Sequence, residues 1–239
     1  LTDALIGPGE GHVEMSDDGG RSWTTMTDIG HPVVWLALDP TAPDRMYASV
    51  ADRTRGGIWV TNDLSAATEA HWRRLPSPTR TEGHPYNVHV LADGTLVTSW
   101  SGRRDEAEQF TTGSGIFVSG DGGETWTDRS HADMQRWTKD VVIDPHDPTQ
   151  NTWYACVFSH WGAHPNEVGG IFRTRDRGET WTRISDLYRV ESISIDPRDP
   201  NQAYVSTETR GLWHTRNLTD EAPDFTEVLT YPFMHPTRV

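Results

Sequence analysis

S-D-D-G-G-R-S-W (residues 16–23), S-G-D-G-G-E-T-W (119–126) and T-R-D-R-G-E-T-W (174–181) are near-copies of one eight-residue phrase. All three fit [S/T]-x-D-x-G-x-x-W, and each lies between two strand-like runs. A motif with four fixed positions that recurs three times in one chain marks an array of similar units. The fixed members are Ser16, Asp18, Gly20 and Trp23; Ser119, Asp121, Gly123 and Trp126; and Thr174, Asp176, Gly178 and Trp181. Each has a structural task. The hydroxyl and carboxylate can bind amides in a tight turn, glycine permits positive φ, and tryptophan packs beneath a neighbouring strand. The carboxylates of this motif are therefore read as turn staples rather than as catalysts.

Around each copy the sequence follows a common plan. A first apolar run ends in D-P: V-V-W-L-A-L-D-P (33–40), D-V-V-I-D-P (140–145) and S-I-S-I-D-P (192–197). In the unit near residue 90 it reads N-V-H-V-L-A-D-G. A second run follows (R-M-Y-A-S-V, T-L-V-T-S-W, T-W-Y-A-C-V-F, Q-A-Y-V-S-T), then a third (G-G-I-W-V-T, S-G-I-F-V-S, G-G-I-F-R-T, R-G-L-W-H-T). The runs are short, rich in β-branched and aromatic residues, and bounded by Gly, Pro and Asp, which predicts strands. Two units carry worn corners: T-N-D-L-S with its tryptophan delayed to Trp72, and T-R-N-L-T, in which Phe225 takes the aromatic place.

Four strands per unit, repeating every roughly 40–60 residues, is the spacing of propeller blades. The expected fold is an all-β propeller of four-stranded blades, as one domain or propeller section over residues 1–239. The blade units fall at about 1–27 plus 235–239, 31–79, 84–130, 134–185 and 187–232. The first is read as three strands, around residues 4–7, 12–16 and 22–27. Two readings of the ends stand side by side. Either the last residues complete the first blade and close five blade-equivalents, or the chain is a section of a ring of about six to eight blades.

Composition agrees with many short strands and turns: 34% hydrophobic residues, yet 11 Trp, 21 Gly and 15 Pro. A net charge of −14 argues against nucleic-acid binding, which needs cations to displace phosphate counterions. Cys156, the one cysteine, lies in the run W-Y-A-C-V-F and reads as a buried thiol. No stretch is apolar and long enough to span a membrane, and no signal peptide is visible.

These motifs resemble the Asp-box, or bacterial neuraminidase repeat, of sialidases, xyloglucanase-type glycosidases, sortilin-like receptors and photosystem assembly propellers. With the I-D-P and G-G-I-[W/F] runs, the chain is most similar to the xyloglucanase and sortilin-like branch over nearly its whole length. The resemblance implies that ligands meet the face opposite the aspartate corners. That face comprises the loops between second and third strands (7–12, 51–57, 101–115, 159–170, 207–211) and those before first strands (28–32, 80–86, 130–139, 186–191, 231–238). The candidate substrate-binding residues there are Arg53, Arg55, Arg103, Arg104, His160, Trp161, His164, Tyr188, Arg189, Glu208 and Arg210. Aromatic faces and forked donors suit sugars, while solvated charge on loop tips is the plain alternative.

Glycoside hydrolysis usually needs two carboxyl groups. Asp140 and Glu191, near the starts of successive first strands, are the candidate catalytic pair, with Asp133, Glu167 and Glu208 behind them. Lys139 and Arg189 lie beside the two and offer ion pairing as the structural alternative. Sialidase chemistry is not expected, because no R-I-P element occurs and no arginine triad can be assigned. The xyloglucanase type places its two catalytic aspartates in different domains, so a chain of this length would carry at most part of that apparatus. A metal site is the weaker alternative: His31, His84 and His235 each open an H-P dipeptide before a first strand, and His131 lies in an equivalent loop.

The sequence therefore points to a glycosidase-like hydrolase of polysaccharide or oligosaccharide. The alternative is a non-catalytic propeller that binds glycan or protein through the same loops. No cofactor is called for. The expected partners are a carbohydrate or protein ligand and the remainder of a longer propeller or a partner chain, in a secreted or periplasmic setting; nucleic acid and membrane insertion are not among them.

Overall fold

The computed structural model describes residues 11–52, 54–103, 111–160, 167–234 and 236. The chain is all-β and built of propeller blades. β1 (His12–Met15) and β2 (Thr24–Asp28) form a two-stranded antiparallel sheet. β3 (Val33–Asp39), β4 (Ala42–Val50), β5 (Gly57–Thr61) and β6 (Arg73–Arg74) form the first four-stranded sheet. β7 (Pro85–Val90), β8 (Leu96–Trp100), β9 (Gly115–Ser119) and β10 (Thr127–Asp128) form the next. β11 (Thr138–Ile143), β12 (Trp153–Val157), β13 (Gly170–Thr174) and β14 (Thr182–Arg183) follow, and then β15 (Val190–Ile195), β16 (Ala203–Thr207), β17 (Gly211–Thr215) and β18 (Thr226–Glu227). Every sheet is a meander in chain order, and the only helices among the described residues are 3-10 turns.

The sheets are distributed over two compact units, Leu1–Trp100 with Phe117–Asp128, and Ser101–Ile116 with Arg129–Val239. In the first, Tyr47, Ile58, Val60, Leu75, Val88, Leu96, Trp100 and Phe117 make a core. In the second the core is Tyr154, Cys156, Ile171, Ile193, Val205 and their neighbours. Inner strands such as β8, β12 and β13 are buried at every residue, polar members such as Ser99 and Arg173 included, so their sequences do not alternate between a core and a solvent face. The outermost strands are two exposed residues each, and short polar edges of this kind resist edge-to-edge pairing.

Each D-P turn is held by its own aspartate: Asp39, Asp144 and Asp196 accept from the amide two residues on, at 2.8, 2.9 and 2.7 Å. The motif corners repeat one hydrogen-bond pattern. Ser119 Oγ donates to Asp121 (2.7 Å), the Gly123 amide donates to Ser119 Oγ (2.8 Å), and Asp121 accepts from both Thr125 N (2.9 Å) and Thr125 Oγ1 (2.5 Å). The corners at Asp18 and Asp176 are bonded alike.

The worn corners keep the acceptor. Asp63 Oδ1 accepts from the His71 amide at 2.9 Å, across an insertion that includes the 3-10 turn Leu64–Glu69, so the delayed Trp72 still follows the bonded amide. Asn217 Oδ1 accepts from Asp224 N at 3.0 Å, directly before Phe225.

These bonds hold the corner carboxyls ionised. Asp121 is lowered to about 2, first by the Thr125 hydroxyl and then by the Thr125 amide. Asp18 is lowered to about 2 by the Ser22 amide and hydroxyl. At Asp176 desolvation pushes upward, but the Thr174 and Thr180 bonds outweigh it and the net shift is downward. A carboxyl with a lowered folded pKa contributes stability above its unfolded value and loses it as pH falls through the folded value. Thermal melts should therefore weaken steeply between about pH 4 and about pH 2. Asp176→Ala should cost about 1–3 kcal/mol and Asp176→Asn less, because the amide oxygen keeps an acceptor, as Asn217 does.

Candidate functional site

The four first strands share one irregularity. Pairing skips a residue between Val33 and Trp35, Pro85 and Asn87, Thr138 and Asp140, and Val190 and Ser192. The residues left outside the ladder are Val34, Tyr86, Lys139 and Glu191. A bulge of this kind leaves one residue unpaired and re-aims its side chain. Lys139 is thus the register mate of Glu191, while Asp140 matches Ser192.

This departs from the expectation that Asp140 and Glu191 hold like positions. The site following the bulge is a stapling position: Asn87 Oδ1 accepts from Ser99 N and Oγ (3.2 and 2.7 Å), and Ser192 and Ser206 share a hydroxyl contact at 2.9 Å. Asp140, opposite Cys156, is 4% exposed there.

Within the second unit, Lys139 Nζ lies 3.2 Å from Glu191 Oε2, and the two side chains are only 10% and 13% exposed. The ammonium also sits 5.0 Å from the ring centres of Trp137 and Phe158, so aromatic faces supply part of its lost solvation. Burial pushes the Glu191 carboxyl above the usual range; Lys139 pulls it back in part, and the charge of Glu208 adds to the upward push. Glu208 Oε2 lies 3.6 Å from Arg189 Nη1, is buried, and accepts no hydrogen bond among the described residues.

Arg189 ties loops of this face together. Its Nε and Nη2 donate to the His160 carbonyl at 3.1 and 2.9 Å, and Nη1 donates to Thr209 Oγ1 at 3.3 Å. His160, Arg189 and Thr209 all have left-handed backbones, with φ of 60°, 53° and 71°. Such non-glycine strain persists only where the surroundings enforce it, and it gathers at functional sites. The His160 ring lies 4.0 Å from Tyr188, and the Arg210 guanidinium is 5.3 Å from the same phenol ring. Alongside, Tyr188, Arg210, Trp213 and Phe225 line an open groove of about 600 Å³.

The structure thus brings Glu191, Glu208, Tyr188, Arg189, Arg210 and His160 into one unit and one region. Arg103, in the same unit, bonds through its backbone to Thr111. Arg55 belongs to the first unit, where its amide caps Asp52 at 2.6 Å. Arg53, Arg104, Trp161, His164 and His235 lie outside the described residues.

Two of the four candidate histidines have acid partners: His31 Nδ1 is 3.1 Å from Asp52 and His131 Nδ1 is 3.3 Å from Asp133, while His84 is 7% exposed. Among the described residues no three His, Cys, Asp or Glu side chains gather closely enough to hold a metal ion. Sequence reasoning missed Lys139 as the partner of Glu191, although counting back five residues from each D-P aspartate lands on Val34, Lys139 and Glu191.

No family model matches the chain. It is 25% identical over 204 residues to a probable oligoxyloglucan-reducing end-specific xyloglucanase of Neosartorya fischeri, which covers 82% of this chain and 23% of that one. The chain spans 14% to 23% of the length of the curated relatives it matches. Among solved structures, the GH74 xyloglucanase of Xanthomonas campestris superposes with a TM-score of 0.63 at 17% identity, over 94% of this chain and 33% of that one. PorZ, a surface component of the type-IX secretion system of Porphyromonas gingivalis, superposes with a TM-score of 0.65 at 14% identity, over 100% and 35%. The fold is therefore shared by enzymes and by a secretion component. No helix among the described residues is long and apolar enough to cross a membrane.

Truncating Lys139 to Ala leaves Glu191 buried without its cation, a change that costs about 3–5 kcal/mol at neutral pH. A raised acid favours the folded state below its folded pKa and loses that benefit as pH rises through it. The K139A deficit should therefore shrink when unfolding is measured at about pH 5 instead of about pH 8. An equal deficit at both would show that Glu191 is not the group left stranded.

Proposed function

We propose that this chain is part of a glycoside-hydrolase-like protein of the xyloglucanase kind, and that the Glu191–Glu208 face meets a polysaccharide. One observation carries the reading: Glu191 is an acid held above its ordinary range by burial, within electrostatic reach of a second carboxylate, Glu208. Hydrolysis of a glycosidic bond needs one carboxyl that keeps its proton and another that stays charged. Glu191 fits the first role, and Glu208, with Oε2 3.6 Å from Arg189 Nη1, is the second carboxyl at hand. Tyr188, 41% exposed, together with Trp213 and Arg210 in the groove, offers apolar ring surface and forked donors for a sugar chain. Similarity to xyloglucanases supports the substrate class. Acid–base chemistry of this type needs no cofactor, and a polysaccharide too large to enter a cell goes with a location outside the cytoplasm.

A second reading, recognition without hydrolysis, is favoured by the ion pairs themselves: Lys139 at 3.2 Å and Arg189 at 3.6 Å neutralise the two carboxylates.

Calorimetry with xyloglucan oligosaccharides and a reducing-end assay separate the two readings. Hydrolysis should fall by about a hundredfold in Glu191→Gln and in Glu208→Gln, with affinity largely kept. Tyr188→Ala should weaken binding about tenfold. Binding without turnover in the unaltered chain would leave recognition alone, and no binding to any β-glucan would remove both.

A further inference from the structure

The third residue of each third strand is aromatic, and in three of the four sheets a basic side chain lies on its ring. Arg55 is 6.0 Å from Trp59, Arg80 is 5.0 Å from Phe117, and His131 is 5.3 Å from Phe172. Phe117 and Phe172 are 0% and 1% exposed. At Phe117 the cap is also held by charge. Asp128 is the cross-strand partner of Phe117, and Arg80 Nε donates to its carboxylate at 2.8 Å. One guanidinium thus serves a ring and an acid that stand side by side.

Trp213 of β17 has the same setting without the cap. It is half-buried, and among the described residues no basic side chain lies on its ring. Its indole N–H donates to the Arg210 carbonyl at 3.0 Å, as that of Trp59 donates to the Arg55 carbonyl at 3.2 Å. The Arg210 guanidinium, however, turns to the Tyr188 ring at 5.3 Å. Both walls of the groove beside Trp213 are in place. Trp213 and His214 point to opposite faces of β17, and the Trp213 face is the one that packs with Ile184, Leu187 and Phe225.

The acids around Trp213 match a cation that the chain itself does not supply. Glu227 is the cross-strand partner of Trp213, as Asp128 is of Phe117. Asp186 holds the position of His131: Ile184 bonds Ile171 as Arg129 bonds Ile116, and each cap position lies two residues further on. Asp186 and Asp224 line the groove. None of these three carboxylates pairs with a cation among the described residues. The two arginines of the groove are engaged elsewhere, Arg210 on Tyr188 and Arg183 through Nε with the Gly169 and Ser185 carbonyls at 2.8 and 3.2 Å.

We propose that this groove receives an arginine side chain from an extended peptide segment of a partner protein. The guanidinium lies on the Trp213 ring and pairs with Glu227, as Arg80 lies on Phe117 and pairs with Asp128. This goes beyond the glycan reading and does not depend on hydrolysis.

The probe is a labelled peptide of residues 76–83 (P-S-P-T-R-T-E-G), the segment that carries Arg80, followed by fluorescence anisotropy against the full chain. It should bind saturably at low salt, and the same peptide with Arg80→Ala should not. In the full chain, Trp213→Ala should weaken binding about tenfold, as loss of a cation–aromatic contact does. Glu227→Gln should weaken it about threefold at low salt but not at about 1 M salt, as an exposed ion pair requires. Unchanged melting of Trp213→Ala keeps folding out of the comparison; if that variant unfolds, Glu227→Gln, at an exposed position, carries the test alone. Absence of binding, equal binding of the two peptides, or binding that neither variant weakens would overturn the proposal. So would binding of xyloglucan oligosaccharide that needs Trp213 while the peptide stays free, a result that leaves the glycan reading standing. Peptide binding without sugar binding would do the reverse.

Discussion

The blades depend on one acceptor: a carboxylate oxygen that takes the amide immediately before an aromatic residue. At Asp121 and Asp176 the bond spans four residues, and at Asp63 it spans eight, yet it closes at 2.9 Å in all three. Since the bonded amide precedes Trp126, Trp181 or Trp72, it fixes where the chain turns into the outermost strand and where the ring leaves the turn. That explains how an insertion is tolerated between Asp63 and His71. The loop is free to lengthen so long as its end returns to the same oxygen. It also explains Asn217, which gives up the charge and keeps the oxygen.

The fold was legible because this corner is a local device with fixed spacing, and local devices write themselves into sequence. Trp72 and Phe225 could be placed from the same rule. The candidate site was less legible because it depends on register. Asp140 and Glu191 both follow a polar loop and both open an apolar run, and on that ground they look equivalent. One unpaired residue in each first strand breaks the equivalence and sends Asp140 into the stapling position, while Lys139 takes the place that Glu191 holds. Slipping a strand by one residue moves every side chain to the other face, so a small error in counting becomes a complete error in placement. The signal lay in the distance to the D-P turn rather than in the residue types. Glu208 stood among the candidates in the sequence, but its influence on Glu191 acts between strands, and no sequence spacing announces that link.

The bulge also accounts for how charge is held so near the core. A lysine or glutamate inside the ladder of β11 or β15 would face packed apolar side chains at a cost of several kcal/mol per ion. Outside the ladder, Lys139 reaches Glu191 and the faces of Trp137 and Phe158, and neither charge is stranded. The pairing is close but not complete, since burial still drives Glu191 upward.

Opposite ends of the strands are thus built on opposite principles. The corners use glycine at positive φ, as at Gly123, and saturate their carboxylates with hydrogen bonds, which drives pKa down and leaves no acid to donate. The loop ends place His160, Arg189 and Thr209 in the same left-handed region without glycine, and leave Glu208 Oε2 with no hydrogen bond among the described residues. Strain and an unsatisfied buried oxygen are both unfavourable to folding, so their persistence at one end needs a compensating role. Arg177 shows the contrast within the corners themselves. It too is left-handed, but its side chain bonds Asn151 and Thr149 and its amide bonds the Asn151 carbonyl, so the strain is offset locally and nothing is left over for a ligand. Around Arg189 the same backbone cost instead goes with a guanidinium that spans two loops, 2.9 Å from the His160 carbonyl and 3.6 Å from Glu208 Oε2.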